Sequence, residues 1–172
     1  VSAGNEGPGA STVGSPAGSP WLTTVAASTQ DRTYLGSVLT GADMQYFGTS
    51  ITAGTAELQI VNAADYGDEM CGPGELDEAV AGKIVLCKRG VYARVDKSYA
   101  VWMAHGAGME LNNATDTQTL DTDNHFVPSV HINYTDGAAI KAYIASEGEA
   151  ATAQLFPGSY TGTTAPSMAD FS

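Results

Sequence analysis

The amino-terminal stretch VSAGNEG, residues 1–7, sets an asparagine among small residues, and an asparagine amide can take part in catalysis. The amide of Asn5 can donate a hydrogen bond to an oxygen that gains negative charge as a tetrahedral intermediate forms. Ala3 and Gly4 before it would let a substrate pass close to the backbone. The alternative is a glycine-rich turn with the asparagine in the left-handed region, and the letters AGN by themselves favour that turn.

An acyl-transfer enzyme also needs a nucleophile and a general base within hydrogen-bond reach of each other. Ser50 in GTSIT and Ser167 in PSMAD lie in phrases that suggest a nucleophile, but motifs this short recur by chance. We interpret GTSI as the end of a hairpin. His105, His125 and His131 are the three histidines, and nothing near them in sequence supplies a paired nucleophile.

A metal site is the other chemistry that these residue types suggest. His125 and His131 would share one face of a strand, and Asp121 and Asp123 precede them in DTDNH. The spacing matches no named ligand pattern, and acids are common in turns, so we expect a solvated loop with no metal and no cofactor.

The composition is that of a folded chain rather than a disordered one. Of 172 residues, 43% are hydrophobic, 15% are charged and 20 are glycine, which favours strands joined by tight turns. The net charge of -12 disfavours nucleic acid and an anionic membrane as partners. No apolar run approaches the roughly 20 residues that span a bilayer. Because the chain begins at Val1 without a methionine, we expect it to be part of a longer protein.

Apolar runs between turn signals predict the strands that position these side chains. The predicted strands are WLTTVAAST with its apolar part at Trp21–Ala27, RTYLGSVL and MQYFG as a hairpin within 31–50, AELQIVNA at 56–63, GKIVLCKRG at 82–90, AGMEL, FVPSVHI at 126–132 and ATAQLF at 151–156. We expect Pro128 at an edge or bulge, and Pro157-Gly158 to end the last strand.

A first helix is predicted between GKIVLCKRG and AGMEL, which makes a β-α-β unit with a right-handed crossover. Val95, Tyr99 and Trp102, spaced i, i+4 and i+7, form its apolar stripe. Gly106 is expected to end it as the C′ residue.

A second helix is predicted to begin after an N-cap at Thr135 or Asp136. Its buried stripe is formed by Ile140, Tyr143 and Ile144.

The two ends of the chain resemble subtilisin-like serine proteases. SAGNEGPG followed by GSPWLTTVAASTQDR resembles the segment around their oxyanion-hole asparagine, and APSMADFS resembles a stretch that they carry upstream of the nucleophile. The resemblance implies that Asn5 is the oxyanion donor and that Ser2, Ala3 and Gly4 lie along the substrate pocket. In that family the acid and base precede the asparagine and the serine follows, so the Ser-His-Asp triad is expected outside this chain. The parent would be an endopeptidase, and this chain alone is expected to hydrolyse nothing.

The middle of the chain resembles the protease-associated (PA) domain that interrupts the catalytic domain of plant cucumisin-type subtilases and their bacterial relatives. The matching phrases are GELDEAVAGKIVLCKRG, RVDKSYAVWMAHGAGMELNN, DTDNHFVPSVHINYTDGAAIKAYI and ATAQL. The implied fold is α/β (α+β), a β-barrel or sandwich of about seven strands with two flanking helices and incomplete subtilisin-fold segments at both ends. The implied division is catalytic-domain sequence at 1–50, a PA domain at 51–160 and a return to the catalytic domain at 161–172.

The resemblance also bears on single residues. Cys71 and Cys87, sixteen apart, occupy positions where the resembling enzymes carry a disulfide, which in an exported protein contributes about 3 kcal/mol. Two free buried thiols are the alternative. His105 stands where the family usually has glycine, which puts the local turn in doubt. NAT at Asn113 and NYT at Asn133 are glycosylation sequons that matter in a eukaryotic secretory pathway.

A PA domain implies a protein-interaction role in which it covers the cleft, restricts substrates or pairs with a second copy. The expected partner is therefore a protein or peptide substrate, with self-association as a further expectation, and the expected location is extracellular. An independent extracellular binding module, as in sorting receptors and aminopeptidases, is the alternative from another class. A small complete enzyme with its own site at His125 or His131 is the third.

Overall fold

The computed structural model describes residues 1–7, 9–162 and 164–169. Its strands and α-helices are β1 (Arg32–Thr40), β2 (Gln45–Thr49), β3 (Leu58–Asn62), β4 (Ile84–Lys88), α1 (Arg94–Met103), β5 (Gly108–Asn112), β6 (Ser129–Ile132), α2 (Tyr134–Glu147) and β7 (Thr152–Gly162). Short 3-10 helices lie at Ala63–Tyr66, Glu78–Val80 and Gly148–Ala150. Within the described residues, no helix combines the length and apolar character needed to cross a membrane.

The chain divides into two compact units, Tyr34–Tyr160 and Val1–Thr33 with Thr161–Ser172. We call them the larger unit and the smaller unit. The hairpin of β1 and β2 falls almost entirely in the larger unit, so the structural division lies ahead of residue 50. The boundaries at 50 and 160 stay predictions about where catalytic-domain sequence ends. The last letters of MADFS, residues 170–172, lie outside the described residues.

The strands form one mixed sheet in the order β1-β2-β6-β5-β4-β3-β7, which curves until β7 lies beside β1. Strands β3, β4, β5 and β6 are parallel neighbours, and the β1–β2, β2–β6 and β3–β7 pairs are antiparallel. Seven strands with two helices confirm the predicted α/β fold of a PA domain.

The predicted β-α-β unit is present: α1 connects β4 to β5, which pair in parallel from Ile84 with Gly108 to Lys88 with Asn112. Alternate residues of β4 enter different cores, because successive strand side chains point to opposite faces. Ile84 and Leu86 join the cluster that includes Ile140 of α2, whereas Val85 and Cys87 join the cluster beneath α1. Both faces of the parallel strands are therefore buried, which explains the unbroken apolar run of β4.

The predicted apolar stripe of α1 is wrong. Tyr99 and Trp102 are exposed, and the buried face instead begins at Lys97 and continues through Ala100, Val101 and Ala104. Those positions are spaced i, i+3, i+4 and i+7, so they form a helical stripe of their own. The lysine hid this stripe in the sequence. Its ammonium is accommodated because Nζ donates to the carbonyl oxygen of Met70, and burial lowers the pKa of Lys97 to about 8.

The predicted end of α1 is also shifted. Ala104 is the C-cap, and His105, rather than Gly106, takes the left-handed conformation with φ +61°. Gly106 N then donates to the carbonyl oxygen of Val101 at 2.8 Å. The histidine thus occupies a backbone position that glycine fills without a Cβ penalty.

The second helix begins two or three residues earlier than predicted, because Asn133 is its N-cap rather than Thr135 or Asp136. The Oδ1 of Asn133 accepts from the Asp136 backbone N–H at 2.8 Å. Ile140 and Ile144 are buried as predicted, and Tyr143, their companion in that stripe, is half-buried against the same core.

Two further strand predictions are wrong. β7 runs through Pro157-Gly158, which lie beyond the residues that β7 pairs with β3, Thr152 and Ala153. The proline therefore removes no hydrogen bond from that ladder. In the smaller unit, the residues from Trp21 to Ala27 form no strand; the described residues there make two isolated bridges, one of them at Val25. Without a continuous ladder, the side chains of Trp21, Leu22 and Val25 stay exposed.

Candidate functional site

The candidate oxyanion loop, residues 1–5, is held by backbone hydrogen bonds to a neighbouring segment. Ala3 N donates to the carbonyl oxygen of Val25 at 3.0 Å, and Val25 N donates to that of Val1 at 2.9 Å. Ala3 is buried, and its carbonyl oxygen accepts from Gly14 N at 3.0 Å. The small residue at position 3 therefore lies in an enclosed place, where a larger side chain would displace neighbouring backbone.

The turn itself depends on Gly4. Its φ of +109° lies in a region that residues with a Cβ rarely adopt, and a Cβ would meet the Glu6 carboxylate. Gly4 N donates to Ser2 Oγ at 3.3 Å, and Asn5 N donates to Glu6 Oε2 at 2.9 Å. These bonds leave the Asn5 side chain exposed, and among the described residues its amide has no hydrogen-bond partner. A free amide donor on a tied backbone is what an oxyanion site requires.

Ser50 and Ser167, the two candidate nucleophiles, make hydrogen bonds with residues other than histidine. Ser50 is buried, and its Oγ accepts from Thr52 N at 3.1 Å, so GTSI ends a strand as interpreted. Ser167 Oγ lies 2.9 Å from Thr29 Oγ1 in the smaller unit. Neither hydroxyl contacts a histidine in the described part of the chain. Neither serine therefore has the base that would activate it.

His125 does contact a serine, but in a structural arrangement. Its Nδ1 lies 3.0 Å from Ser98 Oγ, which donates its own proton to the Val95 carbonyl oxygen at 2.7 Å. Ser98 is fully buried and also accepts from Phe126 N at 3.2 Å. A hydroxyl that no substrate can reach is not a nucleophile. Burial lowers the pKa of His125, so the imidazole is neutral at pH 7.

His131 lies at the centre of a buried polar network. Its Nε2 contacts Asn113 Oδ1 at 2.8 Å, and Asp121 N donates to its Nδ1 at 3.0 Å. The amide oxygen only accepts, so the proton is on Nε2 and Nδ1 is the acceptor. Burial lowers the pKa of His131 to about 4, which keeps the ring neutral. His125 precedes β6, so the two histidines do not share a strand face as predicted.

The acids of DTDNH pair with arginines rather than surrounding a cation. Asp121 lies 3.2 Å from both Arg89 and Arg94, and Arg94 also binds Asp123. The hydrogen bond from Arg94 lowers the pKa of Asp123, so that carboxylate is ionised at neutral pH. Nowhere in residues 1–7, 9–162 and 164–169 do three or more histidine, cysteine or acidic side chains converge to hold a metal. The DTDNH loop is therefore held by ion pairs.

Cys71 and Cys87 form a disulfide in the core beneath α1. The bond ties β4 to the loop that follows the first 3-10 helix. Met70 in that loop accepts the Lys97 hydrogen bond, and Lys88 pairs with Glu69 at 2.9 Å. Three different interactions therefore fix one long loop to the β-α-β unit.

The two sequons occupy different environments. Asn113 is 1% exposed, and its Nδ2 donates to the Gln118 carbonyl oxygen at 2.8 Å, so a glycan there is incompatible with this fold. Asn133 is half-buried at the start of α2, beside the exposed Tyr134 and Thr135. Burial, which the three-letter motif does not encode, distinguishes the two sequons.

Glu110 on β5 is the least expected residue of the interior. It is fully buried, it pairs across the sheet with Leu86 and Val130, and neither carboxyl oxygen has a partner among the described residues. Asn112 Oδ1, two residues along the strand, is also unpaired within that part of the chain. Burial raises the pKa of Glu110 well above its ordinary value, so the group is held neutral. An uncompensated carboxyl lowers stability.

An exposed aromatic cluster beside α1 was missed by the sequence analysis, which assigned two of its rings to the core. We call Tyr99, Trp102 and Phe126 the aromatic ledge; they are 38%, 50% and 53% exposed. Ring centroids lie 5.8 Å apart for Tyr99 and Trp102, 5.2 Å for Tyr99 and Phe126 and 6.1 Å for Trp102 and Phe126. Phe126 lies far along the chain from α1, so no local pattern would have found the cluster.

A family model and curated relatives agree on the kind of protein that this chain resembles. The model of the PA domain matches residues 50–140. The chain is 40% identical to the subtilisin-like protease SBT1.4 of Arabidopsis thaliana over 96% of its own length and 22% of that protein. It is 35% identical to SBT1.2 of the same plant over 99% of its length and 23% of that protein. It therefore spans a little over a fifth of these curated relatives.

Solved structures share the fold at low identity. The psychrophilic subtilisin-like protease Apa1 of Pseudoalteromonas sp. AS-11 matches 95% of this chain and 48% of its own, with a TM-score of 0.50 and 17% identity. BSAP, a zinc aminopeptidase from Bacillus subtilis, matches 82% of this chain and 35% of its own, with a TM-score of 0.53 and 16% identity. At these identities the likeness supports the fold alone.

Proposed function

The chain belongs to the PA-domain family and carries the PA domain of a subtilisin-like protease, and on that premise we propose that its parent is a secreted serine endopeptidase. The parent would hydrolyse peptide bonds by a Ser-His-Asp mechanism with Asn5 as an oxyanion donor. Ser2, Ala3 and Gly4 would line the path of the substrate backbone. The observation that carries the proposal is the identity to SBT1.2, which extends over 99% of this chain and therefore includes Asn5.

The geometry of the loop supports the role of Asn5. An oxyanion donor contributes most when its position is fixed before the reaction, because no reorganisation is then needed as charge develops. The hydrogen-bonded backbone at Ala3 supports that condition, and the exposed amide of Asn5 is free to donate. An amide donor without a nucleophile and base has no reaction to stabilise, so we propose that the 172-residue chain is inactive alone.

The larger unit would then act as an interaction domain that restricts which protein substrates the parent cleaves. Its surface carries the exposed aromatic cluster of Tyr99, Trp102 and Phe126, and aromatic residues are enriched in protein interfaces. Pairing of two parent copies through this unit is a further form of the same role.

Secretion of the parent is supported by the disulfide between Cys71 and Cys87, since such bonds persist in oxidising compartments. The second functional class is a free extracellular binding module of the sorting-receptor or aminopeptidase type. The likeness to BSAP concerns the fold alone, and the sequence around Asn5 would have no use in such a module, so we favour the protease.

The first test replaces Asn5 by Ala in the full parent enzyme. The corresponding change in subtilisin, which is the standard example of this effect, lowers kcat about 10²–10³-fold. We expect a fall of that size on a short chromogenic peptide, with KM nearly unchanged. Gln30→Ala, an exposed amide of the same unit, is the matched control. An unchanged kcat for Asn5→Ala would refute the oxyanion role.

The second test removes the larger unit from the parent. Residues 34–160 should be excised together, because β2 pairs with β6 and would lose its partner if the cut were made at residue 51. The ends suit a short linker, since the rings of Tyr34 and Tyr160 lie 6.4 Å apart. We expect short-peptide hydrolysis to persist while the ratio of cleavage rates among folded protein substrates changes. An unchanged ratio would exclude the substrate-restricting role.

A further inference from the structure

The aromatic ledge is an ordered surface rather than a scatter of exposed side chains. Its three rings contact one another in tilted and edge-on arrangements that stabilise aromatic pairs. Ser98, a buried residue of α1, accepts from Phe126 N and contacts His125 Nδ1, which ties the loop residues to the helix. A surface that is already ordered loses little conformational entropy when it binds.

A groove continues from the ledge and shares one of its rings. It has a volume of about 350 Å³ and is lined by Ile51, Thr52, Ala53, Asn124, His125, Phe126, Val127 and Pro128. Most of these side chains are apolar, and the groove is large enough for one aliphatic side chain. Ledge and groove together therefore offer two adjacent subsites, one of exposed rings and one shallow groove with both apolar and polar lining residues.

The charges around the ledge are those that attract a cation. Arg94 is neutralised by Asp121 and Asp123, and Lys97 directs its ammonium inward to the Met70 carbonyl oxygen. Asp96 is exposed one helical turn before Tyr99 and forms no ion pair in the described part of the chain.

The neighbouring imidazole does not oppose a cation. Burial holds the pKa of His125 below its ordinary value, so that ring carries no charge at pH 7. The faces of tryptophan and tyrosine rings attract cations through their quadrupole. The chain as a whole carries a net charge of -12, which adds a long-range attraction for basic partners.

We propose that the aromatic ledge and its groove bind an extended basic segment of a partner polypeptide. An arginine or lysine would lie over Trp102 and Tyr99 near Asp96, and an adjacent aliphatic side chain would enter the groove beside Phe126 and Ile51. This inference deepens the proposed function, on whose interaction role it rests, by naming the chemistry of the segment that the larger unit recognises.

The test is a titration of the 172-residue chain with the peptide acetyl-Gly-Arg-Leu-Arg-Gly-amide, followed by NMR. The chain has two tryptophans, and the indole N–H of Trp21, 88% exposed in the smaller unit, is an internal control for Trp102. We expect the Trp102 signal to shift and the Trp21 signal to stay. The same peptide with citrulline for arginine keeps the shape and loses the charge, and should bind more weakly by about three- to tenfold.

Substitutions test whether the peptide binds at this site. Trp102→Ala should weaken the arginine peptide by about three- to tenfold. Trp102→Leu keeps apolar area but removes the ring face, and should lose the preference for arginine over citrulline. Asp96→Asn should weaken binding less, and only at low salt, because the charge is exposed and screened. Trp21→Ala should bind as the original chain does. Both substituted tryptophans are exposed, so folding should persist, and the unchanged amide spectrum checks it.

Several results would overturn the inference. One is equal affinity for the arginine and citrulline peptides, and another is equal affinity of the original chain and Trp102→Ala for the arginine peptide. The others are a Trp102 shift with cellohexaose but not with the peptide, and a Trp102 shift when the chain alone is concentrated. Failure here can be told from failure of the proposed function. If excising residues 34–160 alters protein selectivity but the peptide does not bind, the interaction role stands and the ledge is not its site. If the peptide binds but the selectivity among protein substrates is unchanged, the ledge is a binding site and the substrate-restricting role is wrong.

Discussion

The larger and smaller units use similar residue types with opposite results. In the larger unit, leucines and isoleucines such as Leu111 and Ile60 are fully buried by neighbouring strands and helices. In the smaller unit, Trp21, Leu22 and Val25 are exposed, and its described residues pair by isolated bridges at two places. An apolar run thus becomes a strand only where a partner completes its hydrogen bonds and covers its side chains.

Stability should therefore reside in the larger unit, and four changes test that contrast. The most severe is Leu111→Ala, which removes a fully buried side chain between β5 and α1. We expect the free energy of unfolding to fall by about 2–5 kcal/mol, since a cavity is left. Leu22→Ala, at a side chain 43% exposed, should change it by less than about 0.5 kcal/mol. Urea unfolding monitored by circular dichroism measures both, and equal losses would break the contrast.

Removing the disulfide comes next. Cys71→Ala with Cys87→Ala opens a loop of sixteen residues, and we expect a loss of about 3 kcal/mol for the larger unit. Adding a reductant to the unsubstituted chain should reproduce the loss, and adding it to the double variant should do nothing. A loss that remained reductant-sensitive in the double variant would point to some other cause.

Replacing Glu110 should raise the free energy of unfolding rather than lower it. Folding raises the pKa of Glu110 above its value in the unfolded chain, which is about 4.3. At any pH between these two pKa values, the unfolded state therefore binds fewer protons than the folded state. Stability is therefore greatest below the unfolded pKa and falls as pH rises towards the folded pKa. Glu110→Leu should add about 1–3 kcal/mol at pH 7, the cost of a buried group without a partner.

The pH profile distinguishes this cause from a general packing effect. The stability gained by Glu110→Leu should shrink as the pH falls from 7 to 4, whereas Glu6→Gln, at an exposed carboxylate of the smaller unit, should have no such effect. Urea unfolding repeated across that range is the measurement. A gain independent of pH would mean that the raised pKa of Glu110 is not what the substitution relieves.

The smallest expected effect concerns backbone strain. His105 at φ +61° and Ser11 at φ +64° are in the same left-handed region, one in each unit. His105→Gly should stabilise the larger unit by about 0.5–1 kcal/mol, because glycine adopts this conformation without a Cβ clash. Ser11→Gly should leave global unfolding unchanged, since the segment contributes little to it. Thermal unfolding by calorimetry would detect the difference, and equal shifts would contradict the contrast.

Much of the larger unit could be predicted because its local and tertiary preferences agree. The continuous apolar run of β4 and the glycines around it suffice to mark a strand buried on both faces. The helix that follows has the length of a parallel crossover, so β4, α1 and β5 could be identified before their packing was known. The resemblance around Asn5 and through the PA phrases likewise needed only residue order.

The errors arose where a second preference competed. In α1 the aromatic stripe and the lysine-led stripe both have helical spacing, and the sequence cannot tell which one faces the sheet. The ammonium of Lys97 is accommodated by the carbonyl of Met70, placed by the disulfide-tied loop, and by the ring of Tyr92 at 5.3 Å. The ledge of Tyr99, Trp102 and Phe126 was missed for the same reason.

The sequence by itself determined the family, the α/β architecture and the place of Asn5 in a small-residue loop, because these depend on residue order and on short-range backbone preferences. The tertiary structure decided which face of α1 is buried, which sequon is enclosed and which histidine is an internal hydrogen-bonding group. It also left Glu110 without a partner among the described residues. These outcomes depend on groups that are distant along the chain and meet only after the sheet has formed, so no local pattern carries them.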